Sequence, residues 1–278
     1  MIKFTEEGHS YSNIDSADDF QWVSATKLIH QFTESFDSIA VSERCSKGKN
    51  PKYAGKSPES IRAMWDKESK RSTVLGSWYH NQRENDILQF KFITRDGIEI
   101  PIIKPVMAGK VKLAPKQKIG EGLYPEHFVY LRSASICGQA DRVEVIGNKV
   151  HVFDYKTNKE IKKKGYQFWD GRTKKMLYSM KHLDDCELNT YTLQLSLYMF
   201  IILKHNPSLE PGKIQIQHVQ FEIDHEDENG FPVHALDAMG EPIISKIELI
   251  DLPYMKKEVL AMLKWLKINK QMVLHNEH

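Results

Sequence analysis

The sequence predicts an α/β fold. Three observations point there. Runs rich in β-branched and aromatic residues at 136–157, 213–223 and 242–251 are interspersed with helical runs, one of them apolar nearly all round. Gly147-Asn148 sits between two of the β-rich stretches and suits the positive φ angles of a two-residue hairpin turn. The 278 residues, 41% of them hydrophobic, suffice for a sizeable core in one elaborated domain spanning 1–278.

Composition narrows the function classes. The net charge of +2 excludes a uniformly basic coat for nucleic acid, so any such contact must come from local patches. Cys45, Cys137 and Cys186 lie far apart with no CxxC, which fits a reducing, cytoplasmic setting and argues against structural zinc. No apolar run reaches the ~18 residues of a membrane span, so no membrane partner is expected. The polar, acidic start MIKFTEEGHSYSNIDSADDF does not read as a signal peptide.

In chain order, residues 1–23 read as one or two short strands with a turn near Asn13 to Asp15. Ser24 can cap a helix reaching about Phe32. Residues 41–56 read as a basic, glycine-bearing loop. Ser57-Pro58-Glu59 combines a cap, a first-turn proline and an acid at the positive helix end. A second helix is expected from about Ser72 to Phe90, with His80 and Glu84 neighbours at i and i+4. Taken alone, that pair is better explained by a solvated helix face. Residues 1–75 thus form a largely helical elaboration before the core.

Residues 97–103 alternate as a strand. Lys104 to Lys118 holds five lysines and no acid, Lys110 and Lys112 among them, and reads as a solvated loop or a phosphate contact. Residues 126–135 read as a strand leading into the hairpin, with Glu126 more plausibly exposed than part of a site.

The hairpin 136–157 carries the strongest signal. With Gly147-Asn148 as its loop, Asp141 lies opposite Asp154 and Gln139 opposite Lys156. Strand alternation puts Asp141, Val143, Val145, Val150, Val152, Asp154 and Lys156 on one face. Four valines make that face a buried one. Opposed carboxylates there sit roughly 4.5–5.5 Å apart at Cβ and repel. A shared proton, a cation or Lys156 must compensate, and removing one carboxylate should hold or raise metal-free stability. A hard divalent ion fits oxygen ligands, leaving Lys156 to hold a water or phosphate. The bland alternative is a surface hairpin with solvated Asp–Lys pairs.

Residues 158–187 read as an insertion. Eight Lys/Arg and two acids lie between Lys159 and Lys181, interleaved with Tyr166, Phe168, Trp169 and Tyr178. Lys162, Lys163, Lys164, Arg172 and Lys174 would neutralise phosphates and Trp169 would stack on bases, or the segment is a charged loop with an aromatic anchor. Asn189 can cap the helix TYTLQLSLYMFIILK, in which Gln194 and Tyr198 lie one turn apart. An amphipathic helix from about Pro253 to Val273 closes the chain.

Asp141 followed by Asp154-Tyr155-Lys156 resembles the core of the PD-(D/E)XK nuclease superfamily, and GQAD…DYKT is closest to its RecB-like and phage exonuclease branch. Gly76 to His80 resembles the G-x-x-x-H helix of that branch, and Gln194 with Tyr198 its Q-x-x-x-Y helix. Ala140 departs from the pattern, standing where the family has a proline. The resemblance spans Gly76 to Tyr198, with the motifs in family order. It implies a restriction-endonuclease-like core, a central mixed β-sheet flanked by helices. It implies Mg²⁺ or Mn²⁺ held by Asp141, Asp154 and the Tyr155 carbonyl, with His80 and Glu84 as further ligands. Lys156 would orient the nucleophile, and Gln194 and Tyr198 would line the site.

The expected activity is metal-dependent hydrolysis of DNA, on single strands or duplex ends, in replication, recombination or repair, with room for a protein partner from those processes. An exonuclease is favoured, since no separate recognition domain is visible. A structure-selective endonuclease and a non-catalytic nucleic-acid-binding module of the same fold are the alternatives. Only three cysteines argue against the four-cysteine iron–sulfur cluster of some relatives.

Overall fold

The computed structural model describes residues 2–5, 10–13, 21–95, 97–109 and 111–275. Lys110 and the turn after Asn13 lie outside them. The elements in order are β1 (Ile2–Thr5), β2 (Ser10–Asn13), β3 (Val23–Ser24), α1 (Ala25–His30), α2 (Ser38–Lys47) and α3 (Pro58–Leu88). Then come β4 (Phe92–Arg95), β5 (Ile98–Pro101), β6 (Val106–Ala108), β7 (Val111–Leu113), β8 (Gly122–Leu131), β9 (Ile136–Ile146) and β10 (Lys149–Lys156). The chain continues through α4 (Glu187–His205), β11 (Glu210–Phe221), β12 (Ile223–Glu226), β13 (Pro232–His234), β14 (Ile244–Leu252) and α5 (Lys256–His275).

The fold is α/β, with a mixed central sheet flanked by helices. The sheet runs β14-β11-β10-β9-β3, and β8 pairs β9 as well. β10–β11 and β3–β9 are parallel, whereas β8–β9, β9–β10 and β11–β14 are antiparallel. Gly147 takes φ +58, as the tight turn requires. The turn sets the expected register, and five pairs hold it, from Ile146–Lys149 to Arg142–Phe153.

Val143, Val145, Val150 and Val152 are buried on one face beneath α4 and α5, with Leu193, Leu197, Ile201, Met262 and Leu266. Burying each such side chain contributes about 1.5–3 kcal/mol. The opposite face carries Tyr155, Val219 and Phe221 against Leu75 and Tyr79 of α3.

Several boundaries differ from those read in the sequence. The two helices expected around 57–90 are one, α3, capped by the Ser57 side chain. Gly76 does not break it, because the glycine serves close packing: a Cβ there would lie 3.3 Å from Thr157 Oγ1. The loop expected at 41–56 begins inside α2, which Asp37 caps. The stretch 104–118 contains β6 and β7, paired with each other, and β7 also pairs β1. The strand expected at 126–135 is β8, ending at Leu131 in a 3₁₀ turn. Helix α4 starts at Glu187 rather than after Asn189, whose side chain instead donates to the Asp184 carbonyl. Within the segment 158–187, Ile161, Met176 and Met180 are buried in the main core.

Candidate active site

A strand has two edges, and three strands use those of β9. β8 follows one edge from Ile136 to Val145. The other is shared: β10 pairs as far as Arg142, and β3 takes over at Ile136 and Cys137. Between them, from Gly138 to Asp141, the edge is forked. The opposition of Asp141 to Asp154 and of Gln139 to Lys156 therefore does not continue the ladder. Instead Asp141 Oδ2 accepts the Tyr155 backbone N–H at 2.6 Å. At this fork opens a groove of about 1670 Å³, and Asp141, Asp154, Lys156, His80, Gln194 and Tyr198 all line it.

His80 reaches the fork from α3. Its Nδ1 lies 3.4 Å from Asp141 Oδ1 and 4.0 Å from Glu126 Oε1. Ligand atoms of His80, Glu126 and Asp141 lie within 4.8 Å of one another, a cluster able to take a metal ion. Glu126 is the residue that sequence reasoning placed outside the site. It projects from β8 between Pro125, opposite Arg142, and His127, opposite Ala140, so it faces Asp141. It takes a left-handed backbone, φ +48, a conformation that costs on the order of 1 kcal/mol for a non-glycine residue. The Gln139 side chain donates to its carbonyl at 3.2 Å.

Asp154 and Lys156 form an ion pair, both largely buried. The Lys156 ammonium also sits 4.7 Å from the centre of the Tyr191 ring, whose hydroxyl donates to Asn158 Oδ1 at 3.1 Å. The Gln194 amide donates to the Tyr198 hydroxyl at 2.9 Å. Gly138 makes room for that tyrosine: a Cβ there would fall 2.5 Å from Tyr198 Cε1.

The charges balance in a definite way. Burial acts against a charged His80, but Asp141 outweighs it, with help from Glu126 and Asp154, and raises the imidazole to about 9. Burial, then Asp141, pushes the Glu126 carboxyl up to about 8. The same two causes bring Asp154 to about 6. Burial opposes ionised Asp141, yet His80, Lys156 and the Tyr155 N–H hold it below the usual carboxylate range. Lys156 is raised above an ordinary lysine, since Asp154 and Asp141 overcome its burial. His80 and Lys156 thus favour their charged forms and Asp141 its carboxylate, whereas Glu126 and Asp154 are shifted toward their protonated forms.

Other expected site residues lie elsewhere. Glu84 is paired with Lys112 at 2.6 Å, and neither lines the groove. The Tyr155 ring points to the other sheet face, edge-on to Tyr79 at 5.6 Å, while its backbone, whose carbonyl is the expected ligand, stays at the fork beside Asp141. Lys162, Lys163, Lys164 and Trp169 are exposed but off the groove, Trp169 at 97%. Arg172 is paired with Asp170, and Lys174 with Asp185 and Glu34. From 158–187 the groove takes Leu177 and Tyr178 instead, and its far wall is the segment 24–36, which sequence reasoning did not assign to the site.

Comparison with protein-family models, curated proteins and solved structures finds no match to this chain. Among the described residues no helix is long and apolar enough to cross a membrane.

Proposed function

We propose that the chain is a divalent-metal-dependent deoxyribonuclease of the PD-(D/E)XK type, acting on DNA ends in replication, recombination or repair in a reducing cytoplasm. One observation carries the reading: a His80–Glu126–Asp141 cluster adjoins a buried Asp154–Lys156 pair on one groove floor. A nitrogen and two carboxylates suit Mn²⁺ well and Mg²⁺ acceptably. When bound, such an ion would activate water and stabilise charge on the phosphate.

The chain's own residues supply the rest. His80, Glu126 and Asp141 would hold the ion, with Asp154 beside it. Lys156 places a fixed positive charge where a phosphodiester enters and where the attacking oxygen must be oriented. Gln194 and Tyr198 line the groove as a bonded pair, able to hold a phosphate or sugar oxygen in register.

The test is degradation of linear and covalently closed DNA by purified protein with Mg²⁺, Mn²⁺ or chelator. Linear DNA should disappear only with metal, and Asp154→Ala and Lys156→Ala should abolish this. Cutting of closed circles would make the protein an endonuclease. Binding without metal-dependent cleavage would make it a non-catalytic module.

A further inference from the structure

The groove's far wall is aromatic as well as polar. Phe36 is 68% exposed and Tyr178 49%, and both line the groove that holds the carboxylate cluster. We propose that these two rings form a platform on which unpaired bases of a DNA strand stack while its backbone crosses the cluster; this rests on the nuclease reading above.

The platform is packed from behind. Tyr178 has φ +52, a left-handed backbone that a tyrosine adopts only when its surroundings impose it. Leu177 N–H donates to the Phe32 carbonyl at 2.7 Å, tying this segment to the α1 wall. Below, the Tyr178 ring packs against Trp265, centroids 5.3 Å apart, and edge-on to Phe32 at 6.2 Å. Phe36 leans edge-on against Trp65 at 5.7 Å, and Trp65 Nε1 donates to the Tyr53 hydroxyl. Among described residues three non-glycines have positive φ, and two of them, Glu126 and Tyr178, line this groove. Strain held at two points of one cleft marks it as a binding surface.

The chemistry selects the occupant. Rings fixed before binding lose little entropy when a flat partner covers them, and bases stack on aromatics irrespective of sequence. The same wall is polar as well, with Lys27, His30, Gln31 and Thr33 lining the groove beside the rings. A paired base hides its faces inside the duplex, so the platform favours a single strand or a frayed end. Trp169, the more exposed aromatic, lies off the groove and has no part in this.

The experiment is fluorescence anisotropy with the full chain in Ca²⁺, using a labelled oligothymidylate, an abasic strand of equal length and a blunt duplex. Phe36→Ala should weaken oligothymidylate binding about tenfold or more. It should leave the abasic strand and the duplex within twofold of wild type, and Phe36→Trp should restore binding. Equal loss on all three ligands, or no loss on oligothymidylate, overturns the platform while leaving the nuclease reading intact. Should wild type bind none of them, both readings fall.

Discussion

The backbone N–H of Tyr155 donates to Asp141 Oδ2 at 2.6 Å, at the position where the β9–β10 ladder ends. Asp141 thus closes the hairpin and anchors the cluster at once. Asp141→Ala leaves a buried N–H without an acceptor, and should lower stability in chelator by about 1–3 kcal/mol. Asp141→Asn keeps a carbonyl oxygen there, so it should retain most stability while losing metal-dependent activity. Denaturant melts of both variants in chelator check this. Equal stability for the two would remove the structural role.

Asp154 behaves differently from what two opposed carboxylates suggest. Repulsion alone would make its removal neutral or favourable without metal. The ion pair with Lys156 reverses the sign, because Asp154→Ala strands a largely buried ammonium. The metal-free melting midpoint should drop, by an amount on the order of 3 kcal/mol in stability. The double variant Asp154→Leu/Lys156→Met should recover most of it, and a midpoint that holds in the single variant would contradict the pairing.

Metal affinity should rise steeply with pH. His80 and Glu126 must be deprotonated to ligate, and the metal-free protein holds them to about 9 and about 8. Both folded values lie above the unfolded ones. In chelator, the stability from each proton is full below the unfolded value, about 4.5 for Glu126 and about 6.5 for His80, and is lost as pH rises through the folded value. Added Mn²⁺ should therefore raise the midpoint more at pH 8 than at pH 6. Below about pH 8 the apparent affinity should gain up to a hundredfold per pH unit if both protons leave. Calorimetry in buffers of different ionisation heat counts the protons, and a count near zero would remove both residues as ligands.

Tyr191 should act by holding Lys156. Its ring lies 4.7 Å from the ammonium, a contact worth roughly 0.5–2 kcal/mol. Tyr191→Phe keeps the ring and should leave turnover within a few-fold. Tyr191→Leu should lower kcat by about threefold to thirtyfold with KM little changed. A KM effect alone would assign Tyr191 to substrate binding instead.

What could be read from the chain was local. The turn dipeptide Gly147-Asn148 sets the hairpin register, and alternation then separates the valine face from the Tyr155 face. Ser24 and Ser57 act as caps because capping needs only neighbours three residues away. The misread features are long-range. Glu126 enters the site only through its pairing position on β9 and its left-handed backbone, neither written in adjacent residues. The wall at 24–36 is in place because β3 pairs across more than a hundred positions with Ile136 and Cys137. Lys112 and Glu84 cancel one another across separate elements, where the sequence shows only a basic run and an acid on a helix.

The fork in β9 also sets the order in which the groove can be assembled during synthesis. Its lining is drawn from Ser24 near one end of the chain, Asp141 and Asp154 in the hairpin, and Gln194 and Tyr198 on α4. During synthesis, β9 and β10 can meet soon after they emerge, yet α4 must leave the ribosome before Lys156 gains Tyr191 and the groove gains Gln194 and Tyr198. A truncated nascent chain therefore carries the acidic residues without the enclosure, and the groove has all its lining residues only when translation has passed Tyr198.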